Sequence, residues 1–386
     1  MREKAGQCTL RAAVEEADKE KAGSTVVIHV KAGTYALSLG VLAITANTVT
    51  IEGSGVATTT VSAGGTSQVL SAAAGTHVTV QGITLTEGVG GTMPGGGFEN
   101  SGSAKVLDAV VSKSSGAEGG GIYNAPGATL ELQESTVTEN FGTEGYFYGE
   151  EFEEGGNGGN GGGIANAGTL VVTGATISAN YAGSGARSRE NPGGNGGFGG
   201  GIFNTGNVTL TGATISGNYG GYGGLGYNEP SGNGGGGGGV YNEGGTVNVS
   251  GGSFASNQAG GAGNELEAFE PDEAGSGGGI DNARGTVHVT GTNLSSNIGG
   301  AGRYGFGGNG GAIANGDKLT VEGSTFTGNR SGNGGYGGTG GNGGAIYNSG
   351  SGTARRAPST PTRRAPAAKA SPADPGPASP TRAPSK

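Results

Sequence analysis

The sequence predicts an all-β solenoid of about ten short coils, and three observations carry that expectation. An apolar residue followed two places later by Asn occurs eight times, at Phe98/Asn100, Ile122/Asn124, Ile164/Asn166, Ile202/Asn204, Val240/Asn242, Ile280/Asn282, Ile313/Asn315 and Ile346/Asn348. A second apolar residue followed three places later by Asn recurs in step with it, at Val137/Asn140, Ile177/Asn180, Ile215/Asn218, Phe254/Asn257, Leu294/Asn297 and Phe326/Asn329. The stretch from that second Asn to the next copy changes length most, from 16 to 24 residues. Constant strands with a variable insertion at one corner are what stacked repeats produce when their loops leave from one edge.

Glycine and proline make up 107 of the 386 residues, a share that marks low-complexity chains when it has no period. Here the glycines are periodic, which removes that reading. Residues 1–8 are read as a disordered or truncated start, and residues 9–94 as a cap helix followed by the first coils. Leu10, Ala13, Val14 and Ala17 fall at helical spacing within Thr9 to Lys19, with charges between them. The period then changes to two. Val26–Val30 reads as a strand, and Gly33-Thr34 turns into a strand from Tyr35 to Leu39. Val49 and Ile51 alternate with Thr48 and Thr50, and residues 78–85 repeat the pattern.

Residues 95–352 hold the explicit repeats. The middle strand of each opens at Leu130, Leu170, Val208, Val247, Val287 or Leu319. One apolar residue per segment points inward, and equivalent residues stack at roughly 4.8 Å. The Asn columns (Asn124, Asn166, Asn204, Asn242, Asn282, Asn315; Asn140, Asn180, Asn218, Asn257, Asn297, Asn329) are assigned to the corners. There Asn tolerates left-handed backbone angles, and its amide can bond the Asn above and below. Glycine ahead of Ile202 allows a sharp bend and close approach between coils.

Residues 353–386 break the pattern, with eight of the chain's 13 prolines, and are read as a disordered tail. Two accounts fit the tail: a Pro/Ala/Arg-rich linker, or the next repeat read in a shifted frame. It carries seven Lys/Arg and one Asp, so the net charge of −9 hides a body with 14 basic and 29 acidic residues. An acidic body argues against nucleic acid and anionic membrane as partners. No run is long enough to span a membrane, and the first residues are not a signal peptide. Cys8 has no second cysteine to pair with, and three scattered histidines offer little for a metal site.

Gly310–Ile313 and Gly343–Ile346, paired with Phe326–Asn329 and Phe254–Asn257, resemble the repeats of polymorphic outer-membrane proteins. Residues 8–14, Cys-Thr-Leu-Arg-Ala-Ala-Val, with Ala32–Tyr35 after them, resemble the CSLREAI-type motif that opens many bacterial surface proteins of this kind. The resemblance covers about residues 7–352. It implies a single-stranded right-handed parallel β-helix of the pectin-lyase-like class, capped at its open end by the first helix. It also implies an extracellular or cell-surface location, although members usually carry a secretion signal and more sequence ahead of the cysteine.

Candidate chemistry is sparse. Tyr146, Tyr148, Glu150 and Glu151 sit on one acidic, aromatic insert, and residues 265–273 form another; Tyr222, Tyr227, Tyr304 and Tyr336 lie on comparable Gly-rich loops. Such loops suit a glycan or protein ligand, and their oxygens are the one conceivable Ca²⁺ site, although neither insert has the spacing of a calcium loop. No metal or cofactor is otherwise expected. Cleavage of polysaccharide is the enzymatic alternative, with Asp281 and Arg284 as its best residues and a turn salt bridge as their plainer role. Rows of Thr and Ser on the third strand, Thr136, Thr176 and Thr214 among them, raise ice or crystal binding as a further alternative. The reading is a monomeric, adhesin-like or structural surface protein that binds glycan or protein through its loop-rich edge.

Overall fold

A computed structural model describes residues 9–146, 155–227, 229–263 and 272–355. The chain is a right-handed parallel β-helix, each turn contributing three short strands. The first face stacks Leu42–Ile44, Leu70–Ala72, Phe98–Asn100, Ile122–Asn124, Ile164–Asn166 and Ile202–Asn204 in order. The second runs from Thr25–Val30 through Thr48–Gly53 and His77–Gln81 to Asn207–Thr211 and beyond. The third is a ten-stranded parallel sheet that begins at Gly33–Ala36 and ends at Thr325–Thr327. Two long strands, Val240–Ser250 and Ile280–Thr290, run through both the first and second faces.

Register explains the fixed spacing of the repeat. Ile164, Ile202, Val240 and Ile280 are direct partners on neighbouring coils, as are Ile177, Ile215, Phe254 and Leu294. All eight are buried to 1% exposure or less. A slip of one residue would turn such a column toward solvent, so one face's burial fixes the whole stack.

The helix Leu10–Lys19 closes the first coil. The Thr9 side chain accepts a hydrogen bond from the Ala12 N–H at 3.1 Å, and Leu10, Val14 and Ala17 are buried against the core. Asp18 accepts from the Thr45 backbone N–H (3.0 Å) and hydroxyl (2.7 Å), while Arg11 donates to the carbonyls of Gly40 and Val41. The helix thereby occupies the open end of the stack, where unpaired strand groups would otherwise face water.

Several expectations need correction. The strand after Gly33 begins at that glycine and stops at Ala36, leaving Leu39 exposed. The final strand, Ser351–Arg355, continues past the expected end at residue 352 by pairing with Lys318–Glu322. An exposed strand edge holds a chain by backbone bonds, here with Gly352 and Ala354 in register with Leu319 and Val321 of the coil before. The left-handed corner residue is not the second-column Asn. It is the residue before it: Glu139, Ala179, Gly217, Ser256, Ser296 and Gly328, with φ between 51° and 64°. That corner frees the Asn side chain to turn inward, where these amides are 0–1% exposed.

The inserts are not loosely draped loops. Glycines on their outgoing and returning arms form a relay, Gly221 N–H to Gly197 C=O (2.9 Å), Gly235 to Gly221 (2.9 Å), Gly260 to Gly235 (2.8 Å) and Gly275 to Gly260 (2.8 Å). A parallel relay lies three residues further out: Gly224 to Gly194 (2.7 Å), Gly232 to Gly224 (2.8 Å) and Gly263 to Gly232 (3.0 Å). A bonding period of three residues is that of an extended threefold helix. The inserts thus stack into two layers of hydrogen-bonded arms beside the β-helix. A Cβ built at Gly221 meets the Gly183 carbonyl, so close approach of backbone requires glycine there.

Candidate functional site

The outer face of the outgoing arms carries a groove of about 990 Å³. The position immediately after each second-column Asn forms one of its walls. Along successive coils that position and its equivalents before the column begins, after Gly88 and Ser114, are Val89, Ser115, Phe141, Tyr181 and Tyr219, each bridged to the next. The rings of Phe141 and Tyr181 stack with centroids 5.4 Å apart and planes 9° from parallel; Tyr181 and Tyr219 follow at 4.9 Å and 4°. Phe141 and Tyr181 stay 45% and 40% exposed, which leaves their edges open to the groove. Within the ladder, inner faces are covered by neighbouring rings. Phe141 differs, because its partner on the preceding coil, Ser115, carries no ring to stack on its other face. Tyr146, Tyr222, Thr143, Ser184 and Glu144 also line the groove.

Of the residues singled out from the sequence, Tyr146 and Tyr222 line this groove; Tyr227 and Tyr304 do not. Tyr148, Glu150, Glu151 and Cys8 lie outside the described residues. Phe141, Tyr181 and Tyr219 were missed, although the signal was legible: an aromatic directly follows Asn140, Asn180 and Asn218 in three consecutive repeats.

The Asn columns are continuous amide ladders. In the first, each Nδ2–H donates to the next Oδ1, from Asn100 to Asn124 (2.8 Å), Asn166 (2.7 Å), Asn204 (2.8 Å), Asn242 (2.8 Å), Asn282 (2.8 Å), Asn315 (2.6 Å) and Asn348 (2.6 Å). In the second, Asn140 through Asn329 bond likewise at 2.9–3.0 Å. All but the terminal Asn348 are buried, and their amides are taken up by one another.

Asp281 and Arg284 do not form the expected turn salt bridge. Arg284 pairs instead with Glu243, its register partner one coil back. Asp281 is half-buried on the outward row of the first face, between Tyr241 and Ala314. Burial pushes its carboxyl up to about 7. Tyr241, with Phe203 stacked one coil back and Phe198 packed 4.5 Å away, is raised to about 12 by burial and then by the Asp281 charge. Glu99 stands in the same row and accepts a hydrogen bond from Gln68 at 2.9 Å. On the third face, Ser178 donates to Thr138 at 3.3 Å, so part of the hydroxyl row is bonded along the stack.

Among the described residues, no three of His, Cys, Asp or Glu converge as metal ligands. None of their helices is long and apolar enough to cross a membrane.

No family model and no curated protein matches the chain. Two solved structures are similar to it. One is alginate lyase AlyF-OU02 in complex with G6, at 14% identity over 83% of this chain and 82% of that one, with a TM-score of 0.30. The other is a PL6 alginate lyase in complex with a trisaccharide, at 14% identity over 84% and 82%, with a TM-score of 0.29. Likeness at this level carries no argument about chemistry.

Proposed function

We propose that this β-helix binds an elongated polysaccharide in the outgoing-arm groove, with the sugar chain laid along the solenoid axis. The observation behind this reading is the aromatic rail Phe141–Tyr181–Tyr219 along an open groove, ending at the part-exposed ring of Phe141, which no ring stacks on from the preceding coil. The C–H face of a pyranose is apolar and weakly positive, and it packs on the negative face of an aromatic ring. The coil repeat of about 4.8 Å offers a similar surface at steps comparable with one sugar unit. Tyrosine hydroxyls, Ser115, Thr143 and Ser184 supply hydrogen bonds along the same path.

The test is retention on a panel of insoluble and immobilised polysaccharides, scored at the same time for released oligosaccharide. Retention by the wild type that falls for Phe141→Ala and Tyr222→Ala supports the reading; retention unchanged in both variants removes the groove from consideration.

Cleavage of a polysaccharide on the first face, apart from the groove, is the second reading: Asp281 stands there on the outward row between Tyr241 and Ala314 and does not line the groove. A carboxyl raised to about 7 is poised for proton transfer near neutral pH. Product release abolished by Asp281→Asn with retention intact would establish it. Kinship with the CSLREAI-type and polymorphic outer-membrane repeat proteins, and the extracellular location that goes with it, rest on the motifs at residues 8–14 and 32–35 and on the repeat pairs at 254–257, 310–313, 326–329 and 343–346. Adhesion to a cell surface and ice binding draw nothing from the groove.

A further inference from the structure

The groove's chemistry narrows the ligand class beyond glycan binding, on which this inference rests. We infer that the groove accepts uncharged polysaccharide and discriminates against polyuronates and other polyanionic glycans. Its described lining contains no Lys or Arg, and its one ionisable acid is Glu144. Arg187 lies in an adjoining depression of about 350 Å³, which it shares with Glu144.

A carboxylate on every sugar would enter this groove with no cation in the described lining to meet it and with Glu144 beside it. Removing such a charge from water without a partner is unfavourable, and the Glu144 carboxylate raises the local potential against it. Hydroxyl and acetamido groups bring no such cost, because Ser115, Thr143, Ser184 and the tyrosine hydroxyls both donate and accept. Ring stacking on Phe141 is indifferent to the charge of the substituents. Electrostatics therefore decides between ligands of equal length.

The full chain would be titrated with cello-, mixed-linkage-gluco- and chitohexaose, and with hexamers of guluronate and galacturonate, at low salt and at about 0.15 M salt. At least one uncharged hexamer is expected to bind tenfold or more tighter than either uronate at low salt. Raising the salt should narrow the gap, and Phe141→Ala should weaken the uncharged ligand about tenfold. Glu144→Gln should raise uronate affinity severalfold. A uronate hexamer bound more tightly, with the same dependence on Phe141, would overturn the charge inference and leave glycan binding standing. If neither class binds, the glycan reading fails and this inference fails with it.

Discussion

Asn180 and Asn218 are joined across one coil by two hydrogen bonds, because the Asn180 backbone N–H (3.1 Å) and its Nδ2–H (2.9 Å) both donate to the Asn218 Oδ1. Asn218 repeats the arrangement toward Asn257, and its Nδ2–H also reaches back to the Ile177 carbonyl at 2.9 Å. Each residue in the column thus completes the bonding of the one before.

Asn218→Ala should therefore destabilise the chain by about 2–4 kcal/mol, since it strands two buried donors on Asn180 and one carbonyl on Ile177. Asn348→Ala, at the exposed end of the other column, should cost about 0.5 kcal/mol or less. Urea unfolding followed by circular dichroism compares the two. Equal losses would mean that the ladder adds nothing beyond local turn geometry.

The glycine relay makes a separate prediction. Gly221→Ala places a methyl group against the Gly183 carbonyl and the Gly197 nitrogen, and should cost about 1–3 kcal/mol through overpacking. Ser184→Ala, on the outer face of a neighbouring arm, should be close to neutral. Hydrogen exchange should show the loss confined to the arms around residues 183–235, with the three strand faces still protected. Uniform loss across the molecule would show that arms and β-helix unfold together.

The strand faces were legible because one inward apolar column per face must keep its register, which holds the step from the second face's column to the third's at seven residues in all six repeats. Val208 and Ile215 carry that count plainly. The insert arms were not legible in the same way, because a relay such as Gly197–Gly221–Gly235 uses backbone groups alone. Its sequence trace is glycine at intervals of three, which apolar periodicity does not detect. The groove was half visible. Tyr146 and Tyr222 stand out as aromatics on an insert, whereas Phe141, Tyr181 and Tyr219 are found only by aligning the residue after each corner Asn. The pairing of Arg284 with Glu243 depended on a register shift after Asn242, which sets Glu243 opposite Arg284 rather than Ala283, and spacing along the chain does not give that.

Within the aromatic rail, stability and binding should separate. Tyr181 stacks on both sides and Phe141 on one, and each stack is worth about 0.5–1.5 kcal/mol beyond area burial. Tyr181→Ala should lower stability more than Phe141→Ala, while Phe141→Ala should weaken polysaccharide retention more, because the face that no ring stacks on is the one a sugar can reach. Unfolding midpoints and affinity electrophoresis on the same two variants check both halves. A single ranking shared by both measurements would mean that the rail serves the fold alone.

Asp281 makes stability depend on pH in a known direction. Burial raises its folded pKa from 3.8 to about 7, so the folded chain holds a proton that the unfolded chain releases between those values. The slope of unfolding free energy with pH follows protons bound unfolded minus protons bound folded, and for this group it is negative in that window. The contribution is fully present below pH 3.8, declines as pH rises, and is gone above about 7. Asp281→Asn keeps the shape and removes the titration. Its urea midpoint, measured from pH 4 to 8 beside the wild type, should lack this downward component, so the difference between the two should grow toward acid pH in favour of the wild type. Parallel curves would place the Asp281 carboxylate in free exchange with solvent, and would remove the poised proton on which the cleavage reading depends.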